Sequence, residues 1–167
     1  MFNPEKNMHT LSVYVSNKPG ALARIAQVFS RRGFNIESLV VSPAVDGHFS
    51  RMTISCSGDP GGLDQIIKQM DKLVDVLHCI DHTYDKAVTK EMGLIKIAVD
   101  GEGRSEALQI AEHYGCKTVD LTEQSMILQV VGNPAKIDAL EEMIAKFRII
   151  ELVRTGKVVM SRGQKTT

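Results

Sequence analysis

Apolar and polar side chains alternate from Thr10 to Ser16, as they do in a β-strand that has one buried face. After the turn at residues 17–20 the apolar positions change to a helical period, which predicts an amphipathic helix. The apolar side of that helix is predicted to consist of Ala21, Leu22, Ile25, Ala26 and Phe29. We therefore expect the helix to fold back and cover the inner face of the strand.

Four more elements are predicted in the first half of the chain. Two extended segments, residues 34–43 and 49–57, flank a Gly-containing turn and are predicted to pair as a hairpin. Gly58-Asp59-Pro60 then offers an N-cap and a Pro at the first helical position, so a second helix is predicted there. A last strand is predicted at residues 74–83. The resulting order, β-α-β-β-α-β, is that of the ferredoxin-like fold.

The second half of the chain repeats this pattern. Residues 51–77 align without a gap with residues 125–151, and Gly58-Asp59-Pro60 then lies over Gly132-Asn133-Pro134. A strand that leads into a Pro-initiated helix therefore occurs twice. Two copies of a unit this long favour two similar domains over a repeat array.

The predicted fold class is α+β, with two ferredoxin-like βαββαβ domains. The first domain is assigned to residues 1–84 and the second to residues 92–163, and the polar segment 85–91 is interpreted as a linker. Within the second domain, Gly101-Glu102-Gly103-Arg104 is predicted to be a turn that precedes the next helix. The polar tail from Ser161 onward is expected to fray.

The composition is that of an ordinary folded protein. Of 167 residues, 43% are hydrophobic, and 20 basic side chains balance 20 acidic ones. This neutral balance argues against nucleic acid or an anionic membrane as a partner. No apolar stretch is long enough to span a membrane and residues 1–7 do not resemble a signal or transit peptide, so a cytoplasmic protein is expected. The isolated cysteines, which are interpreted as small buried residues, are Cys56, Cys79 and Cys116.

The turn between the first strand and the first helix is the best candidate for a binding site. Pro19 fits a helix start, and Gly20 lets a ligand approach the backbone closely. The unpaired N–H groups of a helix N-terminus favour a small anion such as a carboxylate, and Asn17 adds a donor and an acceptor. Taken alone, the same turn also fits an ordinary helix cap.

No catalytic constellation is visible in the sequence. It contains no nucleophile elbow, Walker loop or HExxH motif, and residues 101–104 lack the third Gly of a dinucleotide fingerprint. His78 and His82 lie on a predicted strand, where a metal site would need ligands from another chain. We therefore predict no catalytic and no metal-binding residues, and a sensor is favoured over an enzyme. Two interpretations remain open for three arginines, which either contact an anionic partner or are simply solvated: Arg31, Arg32 and Arg51.

Four segments of the chain resemble a known family. They are Asn17–Ile25, Phe29–Leu39, Ser50–Ile54 and Lys72–Val76. Together they resemble the small regulatory subunit of acetolactate (acetohydroxyacid) synthase, and the resemblance covers nearly the whole chain. The first half looks like an ACT domain, a small-molecule-binding module, and the second half is similar to the C-terminal ferredoxin-like domain of that family.

The resemblance implies a non-catalytic subunit in branched-chain amino acid biosynthesis. Such a subunit binds and activates a large catalytic subunit and confers feedback inhibition by valine. Thiamine diphosphate, magnesium and FAD are expected in that catalytic partner, and no cofactor is expected in this chain. The resemblance also implies a homodimer of ACT domains with the effector at the interface. Carried over residue by residue, it assigns the effector to Asn17, Gly20, Ala21 and Leu22 on one side and to Asn35 and Ile36 on the other.

An alternative hypothesis is a free-standing ACT-type sensor of amino acids or metals that acts on another target. It would use the group formed by His78, Cys79 and His82. A DNA-binding arm would support this alternative, and none is visible in the sequence.

Overall fold

The structure is a computed structural model that describes residues 7–167. Strands and helices alternate along the chain in the predicted order, twice over. The first half contains β1 (Met8–Ser16), α1 (Ala21–Arg31), β2 (Asn35–Pro43), β3 (Phe49–Ser57), α2 (Pro60–Met70) and β4 (Val76–Asp81). The second half contains β5 (Val88–Ala98), α3 (Gly101–His113), β6 (Lys117–Leu121), β7 (Ser125–Gly132), α4 (Pro134–Ile144), β8 (Arg148–Arg154) and β9 (Val158–Met160).

The first four strands form one antiparallel sheet in the order β2-β3-β1-β4. Its core is built from one face of the sheet and from the inner sides of α1 and α2. Alternate residues of the central strands enter this core, among them Leu11, Val13, Met52 and Ile54. The predicted ferredoxin-like fold of the first half is therefore confirmed.

The strands β5 to β8 repeat this topology, in the order β6-β7-β5-β8, within a sheet of five strands. Its core contains alternate residues of β5 and β7 together with Ile137, Leu140 and Ile144 of α4. The two Pro-initiated helices, α2 and α4, begin and end at residues that the gapless alignment places over each other. The internal repeat seen in the sequence is thus a repeat of structure.

One predicted boundary in the second half is wrong. Gly101–Arg104 is not a turn, because α3 begins at Gly101. The Asp100 side chain accepts a hydrogen bond from the Gly103 backbone N–H at 2.7 Å, and this cap stabilises the first turn in spite of its two glycines.

The described chain divides into two compact units. The first runs to Val88 and also includes Gly156–Thr167, whereas the second is Thr89–Thr155. Part of the segment interpreted as a linker lies within β5, which begins at Val88. The fraying predicted for the tail is also wrong, because Arg162 Nε donates to the Lys86 carbonyl at 2.8 Å within the first unit.

The helices of the described chain are short, and none of them is long and apolar enough to cross a membrane. The three cysteines are free thiols. Burial raises the pKa of Cys56 and of Cys79 to about 12. Both thiols therefore remain protonated at neutral pH. The predicted burial is confirmed for Cys56, whereas Cys79 and Cys116 are only partly buried.

Candidate functional site

The turn before α1 is built on a glycine in the left-handed region. Gly20 has φ +84° and is the N-cap residue, and the helix begins at Ala21. The prediction that Pro19 starts the helix is therefore wrong. Because L-residues rarely adopt this φ, a glycine at position 20 sets the direction in which the chain enters the helix.

The first turn of α1 has no side-chain cap. The Ala21 N–H donates to the Lys18 carbonyl at 3.3 Å, and the Arg24 N–H makes the first helical bond, to the Gly20 carbonyl, at 3.1 Å. The N–H groups of Leu22 and Ala23 have no acceptor within the described residues. These two amides, at the positive end of the helix dipole, are suited to an anionic group.

Arg24, which was not among the predicted site residues, adds a cation to this turn. Its Nε and Nη2 atoms contact Asp75 Oδ2 at 2.7 and 2.5 Å. Its Nη1 atom lies 3.0 Å from the position that a Cβ atom on Gly20 would occupy. Asp75 thus holds the guanidinium beside the bare helix N-terminus. The only signal for this in the sequence is the four-residue spacing of Gly20 and Arg24, which places them one helical turn apart.

The other predicted residues of this turn differ in their exposure. The Asn17 Nδ2 atom donates to the Gly47 carbonyl at 3.1 Å, so its amide donor ties the turn to the β2–β3 loop. Ala21 is buried in the core. Leu22, predicted to lie on the buried side of α1, is 42% exposed instead. Its apolar side chain is therefore available beside the turn.

Asn35 and Ile36 lie at the start of β2, far from the turn. Asn35 pairs with Ser57, which pairs with Met8 at the beginning of β1. The turn follows the opposite end of β1, about 26 Å away at the rise of an extended strand. Within one chain the structure therefore brings Asn17, Gly20, Ala21 and Leu22 together and keeps Asn35 and Ile36 apart from them.

Glu37, which was not among the predicted site residues, lies beside Asn35. Its Oε1 atom accepts hydrogen bonds from Ser57 Oγ at 2.5 Å and from Asn35 Nδ2 at 2.7 Å. These two bonds, the one from Ser57 first, lower the pKa of the Glu37 carboxyl below its ordinary value. The start of β2 therefore carries the negative charge of Glu37. The turn before α1, in contrast, carries the positive guanidinium of Arg24.

The residues considered as a metal site make other contacts. His82 Nε2 lies 2.8 Å from Ser12 Oγ, and its Nδ1 lies 3.1 Å from Asp85 Oδ2. His78 Nε2 lies 3.2 Å from the Thr167 carbonyl oxygen. Within residues 7–167, no three His, Cys, Asp or Glu side chains are grouped closely enough to hold a metal ion.

The fold and the turn together define a class of protein. Two ferredoxin-like domains follow each other, and the first presents an uncapped helix N-terminus at a left-handed glycine. This arrangement is typical of ACT-type regulatory proteins.

Comparisons with known proteins identify the family. Its sequence profiles match in two parts: an AHAS small subunit-like ACT domain at residues 11–78, and the small subunit of acetolactate synthase at residues 90–163. The acetolactate synthase small subunit of Mycolicibacterium smegmatis is 39% identical over 157 residues, covering 94% of this chain and 92% of that protein. The corresponding protein of Mycobacterium bovis is 40% identical, covering 94% of both chains.

A solved structure agrees with these matches. The crystal structure of the acetolactate synthase small subunit from Thermotoga maritima has a TM-score of 0.84 at 34% identity, covering 95% of this chain and 99% of that one. The chain belongs to the family of acetolactate synthase small subunits, which are regulatory subunits of that enzyme. This membership favours the regulatory-subunit hypothesis over the free-standing sensor.

Proposed function

We propose that this chain binds the large catalytic subunit of acetolactate synthase, raises its activity and makes it sensitive to inhibition by valine. Family membership supports the choice of partner. The uncapped N-terminus of α1, with Arg24 beside it, is the observation that supports an amino-acid effector. Thiamine diphosphate, magnesium and FAD then serve the catalytic partner, and this cytoplasmic chain performs no catalysis of its own.

The valine carboxylate binds at the turn before α1 in this proposal. The free N–H groups of Leu22 and Ala23 donate to it, and the Nη1 atom of Arg24, whose guanidinium is paired with Asp75, supplies a further charged donor. Hydrogen bonds between charged groups are stronger than neutral ones, and Asp75 already orients the guanidinium before the ligand arrives.

The second half of the effector site comes from a partner subunit. Since β2 is an edge strand, two chains can pair their β2 strands and remove two exposed edges. In an antiparallel pair, the start of one β2 lies beside the end of the other. Pro43, at the end of β2, is level with Val15 through Ser50, and hence with the turn. The partner subunit's Asn35 then reaches the level of the first subunit's turn.

The charges of the two halves match a zwitterion. The Asn35 amide and the Glu37 carboxylate of the partner subunit suit an ammonium group, because the hydrogen bonds from Ser57 and Asn35 lower the pKa of Glu37 and favour its charged form. The exposed Leu22 side chain and the partner subunit's Ile36 offer apolar contacts to the branched side chain. The ligand thereby contacts both subunits and stabilises the dimer.

The two domains have different roles in this proposal. The first, residues 1–84, binds the effector and activates the catalytic subunit. The second, residues 92–163, supports the response to the effector. The distinction rests on the candidate turn, which lies in the first domain.

One assay tests this function. Acetolactate formation by the catalytic subunit is measured with and without the full chain, during titration with L-valine and, as a control ligand, D-valine. We expect the chain to raise the rate and L-valine to lower it again, with a weaker effect of D-valine because its side chain points to the wrong side of the turn. An unchanged rate on addition of the chain contradicts the proposed activation.

A further inference from the structure

The strand β2 contains a bulge at Glu37. Ile36 pairs with Cys56 of β3, but Ser38 pairs with the next residue, Ser55, so that Glu37 has no partner in the ladder. The direction of an unpaired bulge residue is set by the paired residues on either side of it. The position of the Glu37 carboxylate therefore depends on where Ser38 lies.

Gly156 lies against Ser38 on the face of the sheet turned away from α1 and α2. It is buried, has φ +83°, and belongs to the tail of the first unit, residues 156–167. A Cβ atom on Gly156 would overlap the Cβ of Ser38 and lie 2.5 Å from its Oγ and 3.7 Å from its Cα. Only glycine combines this φ with so close an approach. The backbone of Gly156 thus supports Ser38 from outside the sheet.

Two further contacts hold the tail on the first unit. Lys157, the next residue in the chain, places its Nζ 3.4 Å from Thr10 Oγ1 of β1. Further along, Arg162 Nε donates to the Lys86 carbonyl at 2.8 Å. Within the described residues, the tail contributes no side chain to the hydrophobic core of this unit. The tail can therefore be displaced while the sheet and its helices remain folded.

We propose that Gly156 is a positioning residue of the effector site: its fit against Ser38 holds the bulge that presents the Glu37 carboxylate to the ammonium group of the ligand. This rests on the proposed function, in which the start of β2 binds that ammonium group. Ser57 Oγ and Asn35 Nδ2 donate to Glu37 Oε1 at 2.5 and 2.7 Å, and both bonds require the bulge to keep its shape. Displacement of the tail thus weakens effector binding although the tail does not contact the ligand.

The first test measures L-valine binding to the full chain by calorimetric titration. Gly156→Ala should displace the tail and weaken valine binding on the order of tenfold, because a charge-assisted contact to the ammonium group is lost. Gly163→Ala is the matched control. It adds a methyl group at a positive φ in the same tail, where no atom lies within 4 Å, and it should bind valine as the parent does. Ser38→Gly combined with Gly156→Ala removes the overlapping atoms and should restore part of the affinity.

The second test needs no ligand and separates this inference from the proposed function. The Glu37 carboxyl is titrated by NMR, and its pKa in the parent lies below the ordinary value. Gly156→Ala should raise this pKa toward the ordinary value, whereas Gly163→Ala should leave it unchanged. If the parent does not bind valine, the proposed effector is wrong, and a raised Glu37 pKa still supports the positioning of the bulge by Gly156. An unchanged Glu37 pKa in the folded Gly156→Ala protein, or a valine affinity equal to that of the parent, overturns the proposal.

Discussion

The guanidinium of Arg24 lies beside Gly20, with Nη1 3.0 Å from the place where a Cβ atom would stand on that glycine. Any side chain at position 20 therefore meets the cation that we assign to the effector carboxylate. An acidic side chain there imitates the carboxylate of the ligand, and removal of the cation weakens the binding of that carboxylate. Two variants exploit this relationship in opposite ways.

Replacement of Gly20 by Asp should make the enzyme resistant to valine. The new carboxylate can pair with Arg24 and accept from the free amides of α1, so it occupies the ligand's position and repels the ligand. The positive φ of Gly20 adds a strain of about 1 kcal/mol, which the fold should survive. We expect activation of the catalytic subunit to persist. The valine concentration needed for inhibition should rise by about ten- to a hundredfold.

The matched control is Gly115→Asp in the second unit. Gly115 also has a positive φ, +63°, and a cation nearby, with Lys136 Nζ 3.9 Å from its ideal Cβ position. This variant carries the same strain and the same charge change away from the turn, and it should retain valine inhibition. If a folded Gly20→Asp protein still gives normal valine inhibition, the effector does not bind at this turn.

Replacement of Arg24 by Met should weaken valine binding while retaining the aliphatic stem. The loss of one charge-assisted contact is worth about 1.5 to 3 kcal/mol, or about ten- to a hundredfold in affinity. Because Asp75 is buried and loses its partner, the variant should also unfold at a lower temperature. Calorimetric titration of the folded variant with valine measures the first effect, and a thermal scan measures the second.

Arg24→Lys separates these two effects. A lysine retains a charge near the turn but cannot contact Asp75 and the ligand with one planar group, so its valine affinity should lie between those of the parent and Arg24→Met. If both variants bind valine as tightly as the parent, Arg24 serves only to neutralise Asp75.

Local patterns were sufficient to predict most of the fold. The strand β3 has the predicted bounds, Phe49–Ser57, because alternation and flanking turns coincide there. The helices α2 and α4 were also predicted, since both begin with a capping residue and a proline. The start of α3 was missed because the glycines of its first turn have low helix propensity, and the Asp100 cap overrides it.

The candidate site was predicted only in part. A carboxylate-binding turn can be inferred from a Pro-Gly pair between a strand and a helix, but the position of Arg24 depends on Asp75, which is 51 residues further along the chain. The docking of the tail likewise depends on contacts of Thr167 with Arg51 and His78, which no local pattern encodes. Contacts of this range require the tertiary structure.

Two ion pairs of the second unit should contribute very differently to stability. Arg154 donates from Nε and Nη2 to the two carboxylate oxygens of Glu91 at 2.8 and 3.0 Å, and Glu91 is buried. Arg154→Met leaves that carboxylate without its cation and should lower the free energy of unfolding by about 3 kcal/mol, the low end of the range because Arg154 is partly exposed.

Lys96→Met is the matched control, because it also replaces a cation by Met on the second unit. Lys96 Nζ lies 3.3 Å from Glu151 Oε2, and the two side chains are 36% and 60% exposed, so this change should cost less than about 1 kcal/mol. Denaturant unfolding, followed by a probe in the second unit, compares the two variants. Equal losses would mean that burial of Glu91 does not determine the strength of its pair.

Gly156 lies close against Ser38 of the first sheet. Gly156 has φ +83°, and a Cβ atom there would overlap the Cβ of Ser38 and lie 2.5 Å from its Oγ. Gly156→Ala is therefore both strained and too large, and we expect it to lift the tail from the sheet. Amide exchange between residues 157 and 161 should rise on the order of tenfold, as it does when a local contact of about 1.4 kcal/mol is lost.

Two further variants separate the overlap from the strain. Gly163→Ala has a similar positive φ, +70°, but no atom lies within 4 Å of its ideal Cβ position, so it should leave amide exchange between residues 157 and 161 nearly unchanged. Ser38→Gly, combined with Gly156→Ala, removes the overlapping atoms and should restore part of the protection. If the double variant exchanges as fast as Gly156→Ala alone, strain at residue 156, and not its fit against Ser38, controls the docking of the tail.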